Sequence, residues 1–344
     1  MPDDPGVPLT PSAEEDPPES DQKRIDEERI ARIVRAATGA ARQAEADERR
    51  EILDEVEKLS ARKSGPFRSL LLLAASVAVF ALFGRIVWGW EILGLILIVV
   101  VVHEAGHFAG MKVFGYGDVS MFFIPLFGGA VSGRGTNVPG WKRALVALMG
   151  PVPGLALGVA CWIAYSQTGV GFISRLAQGF LLINGFNLLP FYPLDGGHLL
   201  NEVLFCRSRY AELAVRLAGG ALLALFGLLA GYWVLILLGA IAIFFSTGTF
   251  KVAGLAEKLR ERLGPEVLTE AEAITPELAG PVIAEVRAEY PHLAEPVDIA
   301  HKVDEIWERL KTRPPGLLAT LAILAFYLSL PVFVALAFAL ISLT

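Results

Sequence analysis

Residues 91–115 read EILGLILIVVVVHEAGHFAGMKVFG, and this stretch decides the fold. From Ile92 to Val102 it is apolar without interruption, and His103, Glu104 and His107 follow with no turn residue between. A run of about 20 apolar residues is long enough to cross a bilayer as a helix. At about 1.5 Å of rise per residue, His103 stands roughly 18 Å from Glu91, a depth that belongs to hydrocarbon rather than to the interface. Ionisable side chains there cost on the order of a few kcal/mol each unless something offsets the cost, and a metal ion does so. Histidines at i and i+4 lie on one helix face, a turn apart, so two imidazoles can share one ion. Glu104 follows the first of them directly, where its carboxylate reaches a water beside the metal without being a ligand. The blander reading is a pair of histidines hydrogen-bonded to neighbouring helices of a transporter. It leaves costly intramembrane charge without a role.

Composition agrees with a membrane location. The chain has 344 residues, 54% of them hydrophobic, and a mean hydropathy of +0.52, too apolar for an ordinary soluble protein and right for a multi-spanning one. Cys161 and Cys206 do not form a ligand-spaced pair, and a structural disulfide is not expected. The formal charge of −6 sits largely in the N-terminal arm, and nothing suggests a nucleic-acid partner.

Working outward, residues 1–66 form a separate acidic arm. Residues 1–20 are acidic and proline-rich and read as disordered. They lack the basic and apolar regions of a signal peptide. Residues 21–63 read as a solvated helix or helical pair with a sparse apolar stripe (Ile25, Ile30, Ile33, Val34, Ile52, Val56, Leu59), a tether rather than a docking element. Residues 67–250 are the membrane core, with spans at 70–87, 91–114, 144–165 and from about 172 onward. Residues 213–245 are too long for one span and are divided at Gly231, Tyr232 and Trp233. Between the second and third spans, residues 115–140 carry aromatic and β-branched residues punctuated by Pro125, Gly128, Gly129 and Gly133, the pattern of a short hairpin at the membrane surface. Residues 251–316 are polar and mostly helical, and 317–344 hold a final span. The expected fold class is therefore an all-α multi-spanning membrane protein of about six to seven transmembrane helices, with a small membrane-associated β-hairpin after the His-Glu helix. Lys112, Arg134, Lys142, Arg143, Arg207 and Arg209 fall on one side with Arg62, Lys63 and Arg68, against only Arg85 and Arg175 on the other. The positive-inside rule then places the N-terminus and residues 251–316 in the cytosol of a multi-pass cell-membrane protein.

The second chemical stretch, residues 184–198, reads NGFNLLPFYPLDGGH. Asp195 sits beside Gly196 and Gly197 after a helix broken at Pro190 and Pro193. Broken backbone at membrane depth is tolerated where it is buried in protein or lines a cavity. Alone, Asp195 reads equally as a helix cap at the interface. With two histidines in need of a third protein ligand, the ligand reading is preferred. Asn187 lies two turns upstream and either holds a substrate carbonyl or hydrogen-bonds a neighbouring helix. His198, three residues after Asp195, is read as structural, and His292 and His301 as surface residues.

With these residues assembled, the sequence resembles the site-2 protease family of intramembrane zinc metalloproteases. His103-Glu104-Ala105-Gly106-His107 matches the HExxH signature, and residues 187–196 match NxxPxxxLDG. The resemblance covers roughly residues 70–250, including PLFGG after the first motif and ALMGP at the start of the third span. It implies one Zn2+ per chain held by His103, His107 and Asp195, with Glu104 as the catalytic glutamate and Asn187 as a substrate- or oxyanion-orienting group. It also implies a membrane-anchored protein substrate cut in or near its transmembrane segment, within the lipid bilayer. The loop at 115–140 is too short for a PDZ domain, and residues 251–315 are too short for a pair of CBS domains. Two other classes compete. A metal-ion transporter would want ionisable residues across several spans, and a catalytically inactive scaffold would need neither motif. Oligomeric state has no signal in the sequence.

Overall fold

The computed structural model describes residues 19–61, 65–124, 128–135, 138–271 and 273–342. The expected disorder of residues 1–20 falls largely outside them, as do Arg62, Lys63 and the Pro125–Phe127 part of the glycine-rich stretch.

Helix α1 (Glu19–Ala61) precedes the first membrane element, α2 (Pro66–Val113). Within α2 the helix is interrupted at Gly89, whose φ of 73° lies where only glycine sits without strain. The chain reverses there. Phe80 on the first arm packs with Leu93 and Val100 on the second, with Leu73, Val77 and Leu97 beside them. At 47 residues and about 1.5 Å per residue, this apolar segment spans more than twice a hydrocarbon core of about 30 Å, so it makes two passes.

Strands β1 (Gly117–Ile124) and β2 (Gly128–Arg134) follow as an antiparallel pair, with Phe123 opposite Gly129. Phe123 enters the α2 cluster, and its amide donates to Ser76 Oγ at 2.9 Å, which ties the hairpin to the first arm. Helices α3 (Gly140–Met149) and α4 (Pro151–Thr168) meet at Gly150-Pro151, where proline suits a helix start. α4 turns at left-handed Gly169 into α5 (Gly171–Asn187), which packs back along it. After the Pro190–Pro193 break comes α6 (Asp195–Val203), then the paired helices α7 (Arg209–Ala230) and α8 (Trp233–Leu263), divided at Gly231. Short α9 (Pro265–Glu270), α10 (Pro276–Glu289) and α11 (Pro296–Lys311) precede the final apolar α12 (Leu317–Ser342). Among the described residues, five helical segments are long and apolar enough to cross a membrane, the first of them the doubled α2. Leu82, Leu228, Leu229, Phe244 and Leu318 on these segments are exposed, as side chains that face lipid are. The protein is a helical multi-pass membrane protein, with one two-stranded hairpin among the described residues.

Two further cores hold the rest. One lies within the bundle, where Leu148, Leu155, Leu181, Leu188 and Leu199 meet Ile323, Tyr327 and Leu330 of α12. Tyr327 donates its hydroxyl to the Leu188 carbonyl at 2.6 Å, so α12 braces the end of α5. The other lies in a polar helical unit. At about 46 Å, α8 outruns the hydrocarbon, and its end (Val252, Leu255, Ala256, Leu259) packs with Val282 and Val286 of α10 and Val303, Ile306 and Trp307 of α11. Ile52 and Val56 of α1 are buried in this same core, with Leu53 and Leu59 at its edge. The sequence reading of a solvated tether therefore applies only to the first part of α1, where Ile30 and Val34 are exposed. The apolar stripe is sparse, and too narrow to show from periodicity that its last two turns have a partner.

Candidate metal centre

The second arm of α2 carries His103 and His107 on one face, and both are buried with Glu104 between them. Asp195, the first residue of α6, reaches the same point from the other side of the α5–α6 break. His103 Nε2 lies 3.1 Å from Asp195 Oδ2, His107 Nε2 lies 3.2 Å from Asp195 Oδ1, and the two Nε2 atoms are 3.2 Å apart. These edges can be compared with a tetrahedral ion. Zinc bonds of about 2.0–2.1 Å put neighbouring ligand atoms about 3.3 Å apart.

Proton positions make the same case. His103 Nδ1 faces Asn184 Oδ1 at 2.8 Å, and His107 Nδ1 faces the Val146 carbonyl at 2.8 Å. Both partners are acceptors, so each Nδ1 carries a hydrogen, and in its neutral form each ring turns the Nε2 lone pair inward. The two Nε2 atoms and the carboxylate then converge on one point. Asp195 Oδ2 is buried and makes no hydrogen bond of acceptable geometry. With both rings neutral these atoms are all acceptors, which a cation satisfies, and the three side chains form a group able to hold one.

Close approaches by glycine shape the walls. A Cβ on Gly150 would stand 2.6 Å from His107 Cε1, so only glycine lets the α3–α4 junction sit against that ring. A Cβ on Gly154 would overlap the Asn184 amide. On the open side β2 lies across Glu104, where a Cβ on Gly129 would come 2.8 Å from Oε1 of the carboxylate. The hairpin thus covers the glutamate with bare backbone.

Asn184 is the residue that the sequence reading passed over. It is fully buried, its Oδ1 accepts from His103, and its Nδ2 donates to the Phe180 carbonyl at 2.8 Å. An amide inside an apolar helix is itself a signal of a role, and that signal was available. Asn187, which the sequence reading did single out, donates Nδ2 to the Ile183 carbonyl at 3.1 Å within its own helix. His198 lies against the Tyr192 ring rather than at the metal point, with centroids 4.6 Å apart.

A multi-pass bundle with two helical histidines and an aspartate facing one buried point is the framework of a membrane metalloprotein. Comparisons with known proteins give the family likeness. Residues 91–182 match the family model for peptidase family M50, a segment that includes the HExxH motif and stops short of Asn184 and Asp195. A zinc metalloprotease of Methanocaldococcus jannaschii is 24% identical over 202 residues, covering 55% of this chain and 59% of that protein. Stage IV sporulation protein FB of Bacillus subtilis is 30% identical over 187 residues, covering 54% of this chain and 64% of that protein. Among solved structures, the site-2 protease of Methanocaldococcus jannaschii superposes with a TM-score of 0.38 at 20% identity, over 52% of this chain and 87% of that one. The chain thus spans about three-fifths of the length of the curated relatives it matches. The likeness to peptidase family M50 and to a zinc metalloprotease stands on the family-model match and the curated relatives as well as on the two motifs.

Proposed function

We propose that this protein is an intramembrane zinc metalloprotease that hydrolyses peptide bonds in or near the transmembrane segments of membrane-anchored proteins. The observation that carries the reading is the convergence of His103, His107 and Asp195, whose ligand atoms all lie within 4.8 Å of one another, beside a buried glutamate. His103, His107 and Asp195 hold one zinc ion. When bound, zinc polarises a carbonyl oxygen and makes water a better nucleophile at neutral pH. Glu104 takes a proton from the attacking water on its carboxylate and returns it to the departing amine. Asn184 and the Val146 carbonyl keep the two imidazoles in the tautomer that leaves Nε2 free. Asn187 orients the substrate. Its bond to Ile183 uses one of two amide hydrogens and leaves the other for a peptide carbonyl. A helical substrate must unwind to expose that carbonyl, and the backbone of β2 over Glu104 offers an extended segment a strand to pair with.

Residues 67–250 form the proteolytic core, 251–316 and the arm at 1–66 lie in the cytosol, and 317–344 supply the last span. The excess of Lys and Arg on that side supports this orientation. The test is Glu104→Gln in purified protein, with zinc content and cleavage of a membrane-anchored reporter measured on one preparation. Zinc stays near one per chain, and cleavage falls by roughly 10²–10⁴-fold, the usual loss on removing a general base. Near-normal proteolysis by the zinc-loaded variant would refute the role of Glu104. A wild type that cleaves no transmembrane segment would refute the protease reading.

A further inference from the structure

The break that carries Asp195 is held from outside the metal centre. Phe191 and Tyr192 are pinched between α6 and α7. A Cβ on Gly197 would stand 2.6 Å from the Tyr192 nitrogen, and one on Gly219 would stand 3.2 Å from it. The Tyr192 ring is buried, with His198 on one side and the Arg216 guanidinium 3.7 Å from its centroid. Arg216 in turn binds Glu212 Oε1 through Nε at 3.2 Å and Nη2 at 2.9 Å. Glu212, Arg216 and Gly219 recur at helical spacing, so one face of α7 is directed at the break. The second oxygen of the buried Glu212 carboxylate is taken by Arg309, which belongs to α11 of the polar helical unit.

The same helix reaches the other wall of the site. Asp304 of α11 pairs with Arg134 at the end of β2, the strand that lies across Glu104. Burial pushes the Asp304 carboxyl above its ordinary range, with Arg134 pulling the other way. The C-terminal end of α11 is fixed to α8 by Arg260, whose Nη2 donates to the carbonyls of Arg309 at 2.6 Å and Thr312 at 3.0 Å. A buried carboxylate with both oxygens occupied tolerates the loss of a partner poorly, so displacement of α11 is felt at Arg216 and through it at Tyr192.

We propose that Glu212, Arg216 and Arg309 are positioning residues for the Tyr192–Asp195 turn, and that through them the polar helical unit sets the geometry of the metal centre. This rests on the reading of Asp195 as a metal ligand. Supporting partners around a ligand change metal affinity or activity by about 10–100-fold when removed.

The test uses full-length protein in detergent with the variants Arg309→Met, Arg309→Lys and Arg216→Lys. Arg287→Met, which removes an exposed pair with Glu48 on the same unit, is the control. Three quantities are read: the rate of zinc loss to a chromophoric chelator, the visible absorption of the Co2+-substituted protein, and kcat and KM on the reporter. Arg309→Met and Arg216→Lys should speed zinc loss about tenfold, shift the cobalt bands, and lower kcat about tenfold with KM unchanged. Arg309→Lys should restore much of each quantity, and Arg287→Met should match the wild type. If Arg309→Met does not fold, Arg216→Lys, which keeps the charge but loses the two-nitrogen grip on Glu212, decides. Wild-type zinc loss and cobalt spectrum in Arg216→Lys and in any folded Arg309→Met would overturn the proposal, whatever their melting temperatures. If the wild type holds zinc but cleaves nothing, the protease reading fails while the zinc-loss rates still judge the network. If it holds no metal, both fall.

Discussion

Replacing Asn184 separates a histidine that is merely buried from one that is held ready for a metal. In Asn184→Leu the side-chain volume is nearly kept, but the acceptor for His103 Nδ1 at 2.8 Å is gone. A buried N–H left without a partner costs about 1–3 kcal/mol. The ring escapes that cost by rotating or by moving its proton to Nε2, and either change removes the inward lone pair. Zinc affinity should then fall by about 10–100-fold, or roughly 1.4–2.8 kcal/mol. Asn184→Asp keeps an acceptor at the same place and strengthens it with charge, so it should hold zinc at least as well as the wild type. The assay is competition with a chromophoric chelator on purified protein, with the melting temperature of the metal-free form as a check on folding. A folded Leu variant with wild-type affinity would refute the argument that Asn184 sets the tautomer of His103. Equal losses in Leu and Asp would show that packing against Gly154, not the hydrogen bond, is what matters.

Gly129→Ala should push the Glu104 carboxylate aside, lowering reporter cleavage by at least about tenfold while zinc content measured by metal analysis stays unchanged. Ile52→Ala should destabilise the polar helical unit by about 2–5 kcal/mol in chemical denaturation, whereas exposed Ile30→Ala should have little effect. Cysteines introduced singly at Ser132 and at Lys302 should both react with a membrane-impermeant thiol reagent only after the cytosolic face is opened. Reaction from the outside would reverse the orientation.

Much of this was legible because membrane placement leaves few alternatives. Eleven apolar residues running straight into His103 admit a helix and little else, and a His pair at i and i+4 needs only helical geometry to share a face. The break at Pro190 and Pro193 was likewise visible, since a proline cannot continue a helix unchanged. What escaped depends on partners distant in the chain. Asn184 and Asn187 are both amides on α5, and their spacing does not say which one meets a histidine 81 residues away. The packing of the bundle decides it, through the glycine at 154. The docking of Ile52 and Val56 escaped for the same reason. A stripe of apolar residues on a charged helix looks alike whether water or α11 covers it.

That docking also constrains topology independently of charge. Ile52 and Val56 share one core with Leu255, Val282 and Val303, so α1 and the end of α8 lie on the same side of the membrane. The chain between them must therefore cross an even number of times. The two arms of α2, then α4, α7 and α8, are long and apolar enough to cross, and α5, a 17-residue helix packed back along α4, supplies the return that makes the number even. Each pair reverses at a left-handed glycine, Gly89, Gly169 or Gly231. The β-hairpin follows the second passage and the Asp195 turn the fourth, so both emerge on the side of α1. Arg134 meeting Asp304, and Glu212 meeting Arg309, require the same. β2 over Glu104, the turn bearing Asp195 and the helix that braces both thus face one aqueous compartment. On that side the bundle is closed by a hairpin and a broken helix rather than by a continuous apolar wall, and irregular backbone of that kind is tolerated within a membrane only where it is buried in protein or lines a cavity.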